Sequence, residues 1–297
     1  MSVFQEDNDL AISFRNLRKI ESVKSAVQKI ELFQHPLLGK ILTINGELQH
    51  VENWQALYHE PLIHIPTAFV TELREVLILG GGSLFAAAEV FRYDTVRRCT
   101  LVDHDPAVLD LMARHYPHAK KIMKEPRFTY IEQNATDFLS RARNKYDLLV
   151  NDCFDSVRVS EDLGSSVFRL MTSRLTSQGV CADPIYRHVF ESYHGVRTRV
   201  ALEKMNSYAL SLITVPEYPG TLHLLACWGN KHISQDLRLP RNFVQKSWLT
   251  QQKRATLKFY DPKFLPFHLY LPPYLKQVWS GSLYKRASKT EFLRRTV

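Results

Sequence analysis

The stretch Val76 to Asp105, VLILGGGSLFAAAEVFRYDTVRRCTLVDHD, decides the fold. Four apolar residues, Val76 to Leu79, run into Gly80, Gly81 and Gly82; an Ala-rich segment follows, and a second apolar run ends on Asp103. The pattern reads as strand, tight turn, helix, strand, acid. Glycines let the backbone turn sharply and admit a ligand with no Cβ in the way, and a carboxylate at the second strand tip accepts hydrogen bonds from a ribose diol. An adenosyl group is the ligand such a unit usually holds. The spacing is not the full G-x-G-x-x-G, so an ordinary strand-to-helix turn fits these residues as well.

Downstream, further strand runs fall at about 127 to 131, 146 to 151 and 179 to 183, after 75 to 79 and 98 to 103, with helical segments between them. That alternation predicts a parallel sheet with crossover helices. Runs at 207 to 214 and 221 to 228 are joined by VPEYPG, too short for a parallel crossover, and should pair antiparallel. Upstream, residues 1 to 53 alternate apolar and polar positions around a Pro36 to Gly39 break and an Asn45-Gly46 hairpin signal, which predicts a small antiparallel β domain. Trp54 to Pro66 carries apolar residues at helical spacing and opens the second domain, 54 to 297. From 230 onward basic and aromatic residues mix with prolines, as expected of helices and loops packed on the sheet.

The chain of 297 residues is 45% apolar and 23% charged, ordinary for a soluble globular protein. No apolar run has the length of a membrane span and MSVFQEDNDL lacks the regions of a signal peptide, so a cytoplasmic location is expected. The four cysteines, Cys99, Cys153, Cys181 and Cys227, form no C-x-x-C pair and read as buried apolar residues. His115 and His118 have helical spacing but no third ligand, which argues against a metal site. The net charge of +9 is concentrated toward Lys285, Arg286, Lys289, Arg294 and Arg295. A solvated basic tail explains it, and so does an anionic substrate; nucleic acid is disfavoured because no recognition module appears. The aromatic group Phe259, Tyr260, Phe264, Phe267, Tyr270 and Tyr274 reads as packing of a C-terminal lobe rather than a stacking platform.

In a doubly wound sheet the residues just after each parallel strand line one crevice. Those positions hold Gly80 to Ser83, then Asp103 and Asp105, then Asn134, then Asp152 and Asp155. Any one of them could be a helix cap or turn residue. Four successive tips with ligand-type chemistry point to a site.

With these residues in view the chain resembles the spermidine synthase family of aminopropyltransferases, from Gln28 to the LPPYL at 271 to 275. The pieces that carry the resemblance are VQKIELF, INGELQ, YHE at 58 to 60, VLILGGG, YDLLVNDCFDS and VPEYPG. The resemblance implies a class I AdoMet-dependent methyltransferase-like (Rossmann-like) α/β fold, with a mostly parallel seven-stranded sheet behind the small N-terminal antiparallel β domain. It implies a donor, S-adenosylmethionine or its decarboxylated form, bound without a metal, and a homodimer. Gln28, and Tyr58 with His59, would contact donor and acceptor. Gly80, Gly81, Gly82 and Ser83 would cradle the donor and Asp103 would hold its ribose. Asn134, with Ala135 beside it, stands where the family has an aspartate reading adenine, and its carbonyl can still accept. Asp152 occupies the catalytic aspartate's position, Asp155 that of an acceptor-binding aspartate, and Tyr218 that of a loop tyrosine at the reacting atoms.

Two departures matter. Ser83 replaces the aspartate that binds the amine of the aminopropyl chain, which removes discrimination against a donor carboxylate. CADPIY also lacks the glutamine and glutamate that anchor a polyamine's far amine. The expectation is therefore an alkyl transferase other than a methyltransferase, moving a 3-amino-3-carboxypropyl group to a non-polyamine, anionic acceptor such as a peptide-nucleotide, as in microcin C maturation, an antibiotic pathway. The competing expectations are a true spermidine synthase using decarboxylated donor, a methyltransferase, and a non-catalytic relative. An NAD enzyme fits the glycine pattern poorly.

Overall fold

The computed structural model describes residues 2–5, 11–153, 167–188, 207–218, 222–231 and 251–273, with the single positions 202, 205, 233, 275 and 276. Asp155, Phe154, Pro219, Gly220, Tyr274 and the basic residues 285 to 295 lie outside the described residues.

Two antiparallel sheets form the N-terminal part. Strand β1 (Ser2–Gln5) pairs with β2 (Ala11–Phe14), and β3 (Arg18–Lys24), β4 (Lys29–His35), β5 (Gly39–Ile44) and β6 (Glu47–Val51) form a four-stranded meander. The Asn45-Gly46 signal makes the β5–β6 turn, with both residues at positive φ, 53° and 87°. Helix α1 (Gln55–Thr67) follows, shifted by one residue from the Trp54 to Pro66 run read from the sequence, with Pro66 in its last turn. Ala56 and His59 through Thr67 are buried, so it is a central helix with no solvent-exposed face, although His59, Glu60, His64 and Thr67 are polar.

The α/β part is one seven-stranded sheet. In chain order it comprises β7 (Glu75–Gly80), α2 (Phe85–Val90), β8 (Arg98–Asp103), α3 (Pro106–His115), α4 (Pro117–Ile122), β9 (Phe128–Glu132), α5 (Ala135–Arg141), β10 (Tyr146–Asp152), α6 (Val167–Ser173), β11 (Leu175–His188), β12 (Tyr208–Ile213) and β13 (Leu222–Gly229). The strand order is β12-β13-β11-β10-β7-β8-β9, and β13 runs antiparallel to both its neighbours while β7 to β11 are parallel. All the strand runs read from the sequence are present; β11 extends well beyond 179 to 183 because both ends pair, with β10 and with β13.

Continuous apolar runs give this sheet two buried faces. Val76 and Ile78 join one cluster with Ile30, Leu32, Leu42, Leu62, Leu101 and Leu111, while Leu77 and Leu79 join another with Leu149, Phe168, Cys181 and Trp228. The strand's period of two thus sorts one four-residue run onto both sides. Chain order reverses between β7 and β10, and ligand crevices open at the carboxyl ends of strands at such a switch point.

The C-terminal part adds α7 (Gln251–Arg254) and α8 (Leu265–His268), with Tyr260, Leu265 and Leu269 in the first cluster. The expected aromatic packing holds for Tyr260; Phe259, Phe264, Phe267 and Tyr270 are exposed, 72% in the case of Phe267. Cys99, Cys181 and Cys227 are buried as expected, and Cys153 is exposed. No helix among the described residues is long and apolar enough to cross a membrane.

Candidate active site

The glycine turn after β7 is shaped by its neighbours. Gly80 and Gly81 sit at φ 74° and 73°, a region that side-chain-bearing residues rarely adopt. A Cβ at Gly80 would lie 2.0 Å from the Cβ of Cys153, and one at Gly81 2.8 Å from Asp152 Oδ2. One at Gly82 would lie 3.2 Å from Asp103 Oδ2. The turn therefore runs directly against the acids of the two flanking strand tips. Gly81 N–H donates to the Asp152 carbonyl at 3.2 Å, which extends the β7–β10 pairing past Gly80.

Asp152 receives the Tyr58 hydroxyl at 2.8 Å, across 94 residues. Burial pushes its carboxyl up to about 7; the Tyr58 hydrogen bond opposes that rise and the charge of Asp103 adds to it. Burial, the Asp152 charge and the nearby Tyr218 and Asp183 drive the Tyr58 phenol well above its ordinary value, so it stays a donor. Tyr218, in the turn after β12, stacks on His223 with ring centroids 5.6 Å apart. Beside it the buried Glu217 accepts the Val51 N–H at 3.2 Å, and burial raises its carboxyl to about 6. This bond ties the loop that carries Tyr218 to the end of β6.

Asp103 is raised by burial and accepts the Asp105 N–H at 3.1 Å. Gln28 reaches the same region by another route: its amide donates to Asp105 Oδ2 at 2.7 Å. His59 Nδ1 donates to the Gln55 carbonyl at 2.9 Å, and burial lowers its imidazole to about 4, so it is neutral with Nε2 left as the acceptor. It packs in a ring cluster with Tyr58, His50 and Phe85. Ser83 is half-buried; its carbonyl accepts His118 Nε2 at 3.1 Å, while His115 pairs with Glu21.

Asn134 behaves differently from the expectation. Its Oδ1 caps α5, accepting Thr136 N–H at 2.9 Å, Asp137 N–H at 3.3 Å and the Thr136 hydroxyl at 2.6 Å. Three donors already fill the oxygen expected to read adenine, so a ligand there competes with the helix cap. Ala135 is the first residue of α5.

The structure thus brings Tyr58, Asp152, Asp103, Tyr218 and the glycine turn together. It also supplies residues that sequence reasoning missed. Asp183 is 1% exposed and lies within β11, one residue past Ala182, where the pairing with β10 ends at Val150. The signal in the sequence is that Asp183 ends the predicted run 179 to 183, the kind of position that marks the other acids. Glu60, third residue of YHE, accepts the N–H groups of Lys258, Phe259 and Tyr260 at 2.9, 2.8 and 2.8 Å. No local pattern announces a partner 200 residues away.

A family model for the spermine/spermidine synthase domain matches residues 55–237. The chain belongs to this family. By family it is an aminopropyltransferase-type enzyme, a transferase of alkyl groups other than methyl. A polyamine aminopropyltransferase of Alkaliphilus metalliredigens is 25% identical over 94% of this chain and 98% of its own. Putrescine N-methyltransferase 2 of Nicotiana tabacum is 28% identical over 86% of this chain and 74% of its own. Among solved structures, the spermidine synthase of Thermotoga maritima superposes with a TM-score of 0.75, 18% identity and coverage of 94% of this chain and 93% of that one. A spermidine synthase in complex with the transition-state analogue AdoDATO gives 0.76, 19% identity and 94% of each chain. The fold of this family member is accordingly the class I methyltransferase-like one with an N-terminal antiparallel sheet.

Proposed function

We propose that this enzyme moves the propyl-type chain of an adenosyl sulfonium donor onto an amine and releases methylthioadenosine. The observation that carries the reading is the Tyr58–Asp152 pair, with a carboxyl poised at about 7 beside the glycine turn. The amine lone pair attacks the methylene next to the sulfonium sulfur. The carbon–sulfur bond breaks, its electron pair stays on sulfur, and the proton the nitrogen sheds passes to the Asp152 carboxylate. Near neutral pH a base with that affinity can both take and release a proton. Tyr58 holds the carboxylate in place, and Gly80 to Ser83 with Asp103 would seat the adenosyl group at the switch point.

The lining supports an amine acceptor. Among the described residues, the charged groups acting on Tyr58 and Asp152 are the carboxylates Asp103, Asp152 and Asp183, which attract a cation and repel a phosphate. A polyamine-type acceptor therefore fits better than the anionic one expected from the sequence. Small-molecule substrates and a cytoplasmic location go with this reading.

Ser83 favours a second reading for the donor. With no carboxylate at the fourth turn position, S-adenosylmethionine itself is accepted, and the group moved is 3-amino-3-carboxypropyl, with a peptide-nucleotide phosphate as one possible acceptor. Incubation with putrescine and each donor form, followed by mass spectrometry, decides between these. Spermidine with methylthioadenosine supports the first reading. Methylthioadenosine formed from S-adenosylmethionine without an alkylated amine supports the second. S-adenosylhomocysteine would sink both in favour of methyl transfer.

A further inference from the structure

At the donor side of the site the β3–β4 turn of the N-terminal meander meets one buried carboxylate, and we propose that Asp105 is a positioning residue that latches this turn against the tip of β8. The inference rests on the reading that Asp103 and the glycine turn hold the adenosyl group.

Asp105 is 2% exposed and fully engaged. Its Oδ1 caps α3 by accepting the Ala107 N–H at 3.1 Å, with Pro106 at the first helical position. Its Oδ2 accepts two donors from the turn, the Ser25 hydroxyl and the Gln28 amide, both at 2.7 Å. The turn is itself closed, with Ser25 N–H donating to the Gln28 carbonyl at 2.9 Å and Gln28 N–H to Ser25 Oγ at 3.0 Å. Asp105 N–H in turn fixes Asp103 Oδ1, leaving Asp103 Oδ2 toward Gly82. One residue therefore orients the ribose-type acceptor, starts the helix behind it and holds the turn in front.

A second tie lies along the same hairpin. Glu21 on β3 accepts Arg114 Nη2 at 2.6 Å and His115 Nε2 at 2.5 Å, at the far end of α3. The hairpin is thus clamped at both ends of one helix. The distal clamp is partly exposed and contributes little to free energy, whereas the Asp105 bonds are charge-assisted and centre on a carboxylate that is itself buried. Register along α3 belongs to Glu21 and closure at the donor end to Asp105.

The test is Asp105→Asn in the full chain, with methylthioadenosine as the probe. Asn keeps an oxygen for the Ala107 cap but turns a neutral NH2 toward Ser25 and Gln28, so both charge-assisted bonds are lost and the turn has to reverse its donors to bond there at all. Calorimetry should show binding weakened about tenfold, hydrogen exchange at 25 to 28 should accelerate, and kcat at saturating donor should stay within about threefold while donor KM rises. Asp105→Ser retains the cap and loses the latch, and should reproduce the binding loss if the Asn variant folds poorly. Wild-type affinity and wild-type exchange at the turn in either variant overturn the latch. Failure of the wild-type protein to bind methylthioadenosine overturns the donor reading instead.

Discussion

At Asp152 two opposed influences meet: burial lifts the carboxyl toward about 7 and the Tyr58 hydroxyl holds it down. Since the deprotonated form is the base, kcat/KM for an amine should fall as pH drops through about 7. Tyr58→Phe removes the restraining bond, so the acid limb should move to higher pH; pH profiles of both proteins with the same amine check this, and a limb that stays put contradicts the pairing. Asp152→Asn should lower kcat by about 10²- to 10⁴-fold with donor affinity largely kept. Ser83→Asp should shift preference toward decarboxylated donor, measured as the ratio of kcat/KM for the two donors. At Gly81 a methyl group meets both a positive φ and an Asp152 oxygen at 2.8 Å, so Gly81→Ala should cost on the order of 2 kcal/mol in denaturant titration and most donor binding. The positions Gly80 to Gly82, Asp103 and Asp152 were legible because strand tips in this topology are predictable from a local pattern. Asp105 reads as a strand-tip acid, but its bond to Gln28 spans 77 residues, and nothing local encodes that distance.

Among the elements, α1 was legible as a helix, whereas its role was not. Successive side chains point about 100° apart around a helix, so YHE sends Tyr58, His59 and Glu60 in three directions. Tyr58 reaches the site, His59 a ring cluster, and Glu60 the C-terminal segment. Glu60→Ala leaves three backbone donors without their shared acceptor and should cost on the order of 3 kcal/mol, read as a fall in Tm with faster hydrogen exchange at 258 to 260. Unchanged exchange there would mean that the segment is held by its apolar contacts alone. His59 adds a pH dependence to the same helix. Its imidazole binds protons less readily folded, at about 4, than unfolded, near 6.5, so stability should decline as pH falls from 6.5 toward 4. Urea titrations at pH 7.5 and 5 check the sign, and His59→Asn should flatten the difference.

For the molecule as a whole, the sequence splits at residue 53 and the packing does not. Ile30, Leu32 and Leu42 of the meander belong to the same buried cluster as Val76, Ile78 and Leu101 of the large sheet. We propose the two parts as domains in architecture and one unit in stability: calorimetry should give a single transition, and residues 1 to 53 expressed alone should not fold. A separate early transition would contradict this. Alternation of polarity shows that a strand has an inner face but does not reveal which element covers it, so this union was invisible in the sequence. The three directions taken by YHE have one more consequence. An amino acid inserted just before Tyr58 would turn all three side chains by about 100° at once, taking the phenol from Asp152 and the carboxylate from residues 258 to 260 in a single step. Point replacements along α1 can be absorbed one at a time, whereas a change in its length cannot, and variation in chain length should be confined to the connections on either side of it.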